Sequence, residues 1–314
     1  MNMHDSERKS VLPKVLGLIG MTVLWCLAFL PVQGSCAEAA AGKIGVFVSV
    51  LPQAYFAERV GGDRVEVNVL VGPGQSPHTF EPTPKQMARL GSAALFFRVG
   101  VPFENSLVPK IARSFPALKI VDTSKGVKLL ALAHHEDHDQ GEEGDHGHEE
   151  GAPDPHIWLD PARVKIQARN MCEALVSIDP ANAPYYRANL VAFTADLDRL
   201  DARLRRILAP VKGSKIYVFH PAFGYLADAY GFIQVPVEIE GKEPGAKELA
   251  KLISQAKADG VKVIFVQPQF SAKNARAVAR EIGGAVVPID PLPKDFITEM
   301  ESTARAIESS TLKK

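Results

Sequence analysis

The sequence predicts an α/β protein of two parallel-sheet lobes, and three observations lead there. Short aliphatic segments alternate with helical segments that carry polar faces, the rhythm of a parallel sheet covered by helices. That rhythm runs twice along the chain. Between the two runs lies one long amphipathic helix.

In the first run the strands are residues 43–50 (KIGVFVSV), 65–71 (VEVNVLV), 94–99 (ALFFRV) and 118–122 (LKIVD), with helical segments such as 53–60 and 84–90 between them. The second run has strands at 215–219 (KIYVF), 235–239, 262–267 (KVIFVQ) and 285–290 (AVVPID). The helix between them covers 184–208. Leu190, Phe193, Leu197, Leu200, Leu204 and Leu208 recur there at steps of three or four and form one apolar stripe. Pro184 suits the first turn, and Pro210 with Gly213 marks the stop. At 1.5 Å per residue such a helix is roughly 35–40 Å long, about the diameter of a small domain. The pattern is too short for a coiled coil, lasting barely three heptads. The expected division is therefore a leader at 1–37, a first lobe at 42–183, the linking helix at 184–209 and a second lobe at 210–314.

Composition narrows the classes. The chain has 314 residues, 46% hydrophobic and 23% charged, which is globular and not disordered. Lysine plus arginine and aspartate plus glutamate both number 36, so no global field draws the protein to nucleic acid or anionic lipid. A monomer is expected. Cys26, Cys36 and Cys172 are too few for a disulfide framework or a four-cysteine zinc site.

The amino terminus has the layout of a secretory signal: Arg8, Lys9 and Lys14, then an apolar run over 15–32, then the small residues Gly34, Ser35, Cys36 and Ala37. Cleavage after Ala37 or a following alanine places the mature chain in the periplasm with Cys172 as its one thiol. Two other readings stay open: an uncleaved anchor, since the run nearly suffices to span a bilayer, and a lipid on Cys36.

Residues 134–150 break the α/β pattern. They read HHEDHDQGEEGDHGHEE, with five histidines, eight acids and no lysine or arginine. Such a segment cannot bury a core, and His134, His135, His138, His146 and His148 make it a weak binder of transition metals. A solvated charged linker is the plainer alternative.

Beyond the leader and this loop, the remaining histidines are His78, His156 and His220, each next to a proline. His78 follows the second strand through VGPGQSP, and His220 ends KIYVFHP. Ligands of open α/β sheets sit beyond the carboxyl ends of the strands. Asp290 ends the last expected strand in the same way. Three imidazoles and one carboxylate suit tetrahedral zinc better than magnesium or calcium, which take all-oxygen shells. No pair has the H-E-x-x-H spacing of a metalloprotease. The competing interpretation is three unrelated loop histidines, each satisfied by the backbone.

The strings around these residues are SPHTFEPTP (76–84), DPHIWLDP (154–161), FHPAFGYLADAYG (219–231), EGKEPGAKEL (240–249), FVQPQFS (265–271) and IDPL (289–292). Together, in this order, they resemble the metal-receptor proteins of ABC importers, the cluster that takes up zinc or manganese. The resemblance implies two lobes joined by one rigid helix, small lobe motions, and a metal held between the lobes. It places the ligands at His78, His156, His220 and Asp290. Manganese receptors of the family typically carry glutamate where His220 stands, and usually lack a His-rich loop, so zinc is the implied cargo, with Asp290 leaving room for manganese. Glu81 and Pro82 are expected to shape the turn presenting His78, and Trp158 and Phe223 to pack against the site; Glu240 and Glu243 flank a helix start, where acids suit the dipole, with a role behind a histidine as the lesser alternative.

The implied function is non-enzymatic: Zn²⁺ capture and delivery to an ABC permease with its cytoplasmic ATPase, since the chain has no Walker-type phosphate loop. The histidine–acid loop then acts as a collector, a sensor of excess zinc, or a dock for a periplasmic accessory protein. Binding requires neutral imidazoles, so affinity is expected to weaken as pH falls toward and below about 6.5. Two functions of other classes remain: a secreted zinc hydrolase, with three histidine ligands and a water, and a metal-binding surface adhesin.

Overall fold

The computed structural model describes residues 42–132, 153–238 and 245–312. The expected leader, the loop with His134, His135, His138, His146 and His148, and Glu240 and Glu243 lie outside the described residues. Among those described, no helix is long and apolar enough to cross a membrane.

The first sheet holds β1 (Ile44–Val50), β2 (Val65–Val71), β3 (Leu95–Arg98) and β4 (Lys119–Asp122), all parallel, in the order β2-β1-β3-β4. Its strands alternate with α1 (Leu51–Gly61), α2 (Pro84–Gly91) and α3 (Phe103–Ser114). Capping explains where these helices begin. Pro84 fills the first turn of α2, and Thr83 and Gln86 close a reciprocal capping box at its start.

From the first lobe the chain runs through α4 (Pro161–Ile178) into α5 (Ala183–Leu208), whose 26 residues span about 39 Å. The buried face of α5 carries Phe193, Leu197, Leu200, Leu204 and Leu208 as the periodicity requires, while Leu190 is only partly covered. Tyr186 extends the stripe by a further turn, its hydroxyl donating to Asp179 Oδ2 at 2.6 Å.

The second sheet repeats the first. β5 (Lys215–Val218), β6 (Ile233–Pro236), β7 (Val263–Val266) and β8 (Ala285–Pro288) lie parallel in the order β6-β5-β7-β8, with α6 (Gly224–Tyr230), α7 (Ala246–Ala258) and α8 (Lys273–Glu281) between them. The sixth strand is displaced from the expected 235–239. Gly231, at φ 80°, ends α6 with a left-handed turn, and pairing starts at once with Ile233 N–H on Ser214 O at 2.9 Å. After Pro236 the amides of Val237 and Glu238 turn to the carbonyls of Val218 and Phe219, at 2.8 and 3.0 Å.

The last helix, α9 (Phe296–Leu312), crosses back to the first lobe. Phe296 meets Phe56 of α1 edge to face with centroids 4.9 Å apart, and Glu301 pairs with Arg203 of α5. One apolar cluster therefore joins Phe56, Trp158 and Phe193 to Phe223, Leu226 and Phe296. A smaller cluster, with Leu252, Ile264 and Val278, fills the outer part of the second lobe. The sheets are two, but the main core is shared.

Phe193 is fully buried within 5.9 Å of the Tyr55 and Phe56 rings. Truncation removes a ring from a site that cannot collapse, so Phe193→Ala is expected to cost about 3–5 kcal/mol. Denaturant titration followed by separate probes in each lobe checks this, and the shared core requires both probes to report one transition.

Candidate metal site

His78, His156 and His220 come from three different loops, and each is placed by its own local hydrogen bonds. The His78 loop leaves β2 through Gly72, Pro73, Gly74 and Gln75. Gln75 N–H closes this turn on Gly72 O at 3.2 Å, and Gly74, at φ 71°, takes the position that a type II turn reserves for glycine. The loop returns as His78 N–H donates to Ser76 Oγ at 3.2 Å, and it docks on the sheet where Gln86 Nε2 donates to Leu70 O at 2.8 Å. Gly74, Gln75 and His78 are exposed along this loop while Pro77 is buried, and the His78 imidazole is partly covered by the other two rings.

His156 lies before a single 3-10 turn (Ile157–Leu159) that leads into α4, whose start is capped by Asp160 accepting from Ala162 N–H at 2.9 Å. Asp154 sets the ring. Its Oδ1 accepts from His156 N–H at 2.9 Å and from Nδ1 at 2.7 Å. His220 follows β5 after one residue, Phe219. Its backbone is clamped by the Gln267 side chain, which accepts from His220 N–H at 3.1 Å and donates to His220 O at 2.8 Å. Its Nδ1 donates to Glu238 Oε1 at 2.5 Å, and Phe270 stacks on the ring with centroids 4.8 Å apart.

These bonds fix the chemistry of the rings. A carboxylate only accepts, so Nδ1 of His156 and of His220 carries the proton and Nε2 keeps its lone pair. Buried acids behind ligand imidazoles hold the ring orientation and raise its basicity, the arrangement found around protein-bound metals. Asp154 and Glu238 are 1% and 4% exposed, so neither charge is dispersed by solvent. The sequence offers Glu240 and Glu243 for this role only as an alternative to acids at a helix start. Asp154 stood in plain view two residues before His156, whereas Glu238 is brought to His220 only by the β5–β6 pairing.

One ligand atom from each of the three histidines falls within 4.8 Å of the others. His78 Nε2 and His220 Nε2 are 3.1 Å apart. Nitrogens on one tetrahedral zinc stand roughly 3.3 Å apart, given bonds of about 2.0–2.1 Å, so small ring rotations suffice to seat an ion. Trp158 lines the pocket, with its ring 5.3 Å from that of His156, whereas Phe223 is buried in the shared core. Asp290 follows β8 just before the lining residues Pro291 and Leu292 but does not join the cluster. Its Oδ1 accepts from Leu292 N–H at 2.9 Å and from Gln269 Nε2 at 2.8 Å.

The family whose description reads zinc-uptake complex component A, periplasmic, matches residues 46–310. The chain belongs to this family. Among relatives of the zinc-uptake family, the high-affinity zinc uptake system protein ZnuA of Bacillus subtilis (strain 168) is 34% identical over 258 residues, 79% of this chain and 78% of its own length. The zinc-binding protein AdcA of Streptococcus pyogenes serotype M3 is 30% identical over 84% of this chain, which spans only 53% of that longer protein. Two crystal structures, one of ZnuA and one of a ZnuA deletion mutant with zinc bound, each share 38% identity and a TM-score of 0.78 over 86% of this chain and 99% and 98% of theirs. The two-lobed architecture expected from the sequence is that of the zinc-uptake family.

Burial lowers the proton affinity of His78, with further lowering from the neighbouring His220 and His156, to a pKa of about 3. Burial also lowers that of His220, against the opposing pull of Glu238. Zinc therefore meets less competition from protons than free imidazole would allow, and the loss of affinity expected from sequence near pH 6.5 moves to more acidic pH. The same shifts govern the fold. Below about 6.5 the unfolded chain protonates these histidines while the native one resists, so native stability declines as pH drops from there toward 3. The melting temperature of the metal-free protein is expected to fall between pH 7 and 5, and to fall less in a His78→Gln variant.

Proposed function

We propose that this chain is a periplasmic Zn²⁺ receptor that binds the ion through His78, His156 and His220 and hands it to an ABC permease powered by a cytoplasmic ATPase. The observation that carries this reading is the convergence of three imidazoles on one point, two of them oriented by buried carboxylates. Membership of the zinc-uptake family supports the choice of metal, and so does donor softness, since imidazole in place of carboxylate moves a site away from hard cations.

The relation of the lobes suits capture and release with small movements. Trp158 Nε1 donates to Pro291 O at 2.7 Å, Tyr225 OH donates to Asp154 O at 2.7 Å, and Arg163 pairs with Asp228, so each lobe grips the other beside the site. Residues 1–37 are the export signal in this reading, with the mature lobes at 42–183 and 210–314 around the helix at 184–209. The acidic histidine segment at 134–150 is a low-affinity collector or a dock for an accessory protein. In the hydrolase reading, by contrast, the three imidazoles would leave a metal-bound water facing a general base and a substrate cleft. The pocket at the three rings is narrow and walled by Trp158, Phe270 and Leu292.

Zinc titration calorimetry on the metal-stripped protein is expected to give one tight site that survives deletion of 134–150. His220→Ala should abolish that site. Glu238→Gln, which keeps the shape but removes the charge behind His220, is expected to weaken zinc about 10- to 100-fold. A tight site that persists in His220→Ala would overturn the assignment.

A further inference from the structure

Gln269 joins the pocket of the three imidazoles to Asp290, and its side-chain amide is used at one end only. Its Nε2 donates to Asp290 Oδ1 at 2.8 Å. Its Oε1 is buried and, among the described residues, has no hydrogen-bond partner. The residue lines the pocket together with His78, His156 and His220, while Asp290 stays outside the imidazole cluster. A buried amide oxygen left unpaired costs free energy, and its orientation is imposed by what the other end of the amide holds.

The loop that carries Asp290 is fixed as well. Leu292 N–H donates to the same Oδ1 at 2.9 Å, and Pro291 O, between them, takes the buried Trp158 indole N–H from the other lobe at 2.7 Å. Ile289 N–H on Val266 O at 3.0 Å and the Trp158 bond to Pro291 O pin the backbone on either side, so the freedom left to Asp290 is rotation of its side chain, which the Gln269 and Leu292 bonds to Oδ1 together restrain. Gln269 itself stands on the loop after β7, next to Phe270, whose ring stacks on His220. One short segment thus braces His220 with Phe270 and the carboxylate with Gln269.

We infer that Gln269 is the specificity-determining positioning residue of this site: it holds Asp290 back from the bound ion and presents its own free carbonyl oxygen to a water that enters with the metal. The inference rests on the three-imidazole reading of the site. Its consequence concerns metal choice. A site of three imidazoles and a water favours zinc over manganese, whereas admitting a carboxylate makes it harder and improves it for manganese. Hydrogen bonds to charged groups are strong enough that removing the Gln269 bond, with the Leu292 bond left in place, should raise the availability of Asp290 by about tenfold or more.

The test is a cycle of four full-length, metal-stripped proteins: wild type, Gln269→Ala, Asp290→Ala and the double variant. Zinc and manganese affinities are measured on each, with cobalt absorption as a reporter of the donor set and thermal melting as a control for folding. Gln269→Ala is expected to raise manganese affinity relative to zinc about tenfold or more and to alter the cobalt spectrum. Both changes should vanish when Asp290→Ala is also present, because the gain passes through that carboxylate. Asp290→Ala alone should leave the wild-type cobalt spectrum nearly as it is. A Gln269→Asn variant should fall between wild type and Gln269→Ala.

Three results would overturn the inference. A metal ratio unchanged in Gln269→Ala shows no restraint. A change that persists in the double variant shows an effect not routed through Asp290. A wild-type cobalt spectrum that collapses in Asp290→Ala shows that Asp290 already binds the metal and that Gln269 helps it to do so. Failure of the underlying reading looks different from all three: wild-type protein would then bind no zinc tightly, or would bind it undiminished without His220.

Discussion

Histidines from separately hydrogen-bonded sheets can converge on one ion only if the two sheets cannot drift, and the apolar seam around Phe56, Phe193 and Phe296 imposes that condition. A hinge between lobes needs an interface that can open. Here the interface is continuous core, sealed by α5 along its length and by α9 crossing from the second lobe to the first. The buried hydrogen bond between Trp158 and Pro291 carries the same fixity to the rim of the site. The imidazoles are therefore held close to their working separation before any ion arrives, and little ordering has to be done on binding.

The two sheets share one strand order yet treat their carboxyl ends differently. In the first, the crevice beyond β1, β3 and β4 is filled by the chain itself. Glu104 accepts from Ser49 Oγ and from the amides of Val99 and Gly100, and Gln53 ties the Ser49 amide to Thr123. In the second, the corresponding end of β5 opens onto the pocket, with Gln267 and Glu238 serving His220. A doubled architecture has thus been divided between support and binding. The first sheet sends its contribution sideways, through the loop of His78 and the turn of His156.

Much of this was legible in the sequence because the relevant signals are local. Alternating aliphatic strands, the α5 stripe and the proline-flanked histidines can each be read within a short window, and the strings around the histidines pointed to the family. What stayed hidden depends on pairing between distant segments. Glu238 reaches His220 only through strand register, and α9 joins the first lobe only because Phe296 finds Phe56. The sixth strand was misplaced because Val235 and Val237 look as strand-like as Ile233; the Gly231 turn decides where pairing begins. Asp290 was nominated by its position after a strand, yet position alone says nothing of the Gln269 and Leu292 bonds that engage it.

The return of α9 also has a temporal meaning. Phe296 of α9 packs on Phe56 of α1 and Glu301 pairs with Arg203 of α5, so the core those two helices line stays incomplete until α9, which follows β8 in the chain, has docked. Docking of α9 is thereby the step that closes the core shared by the two lobes.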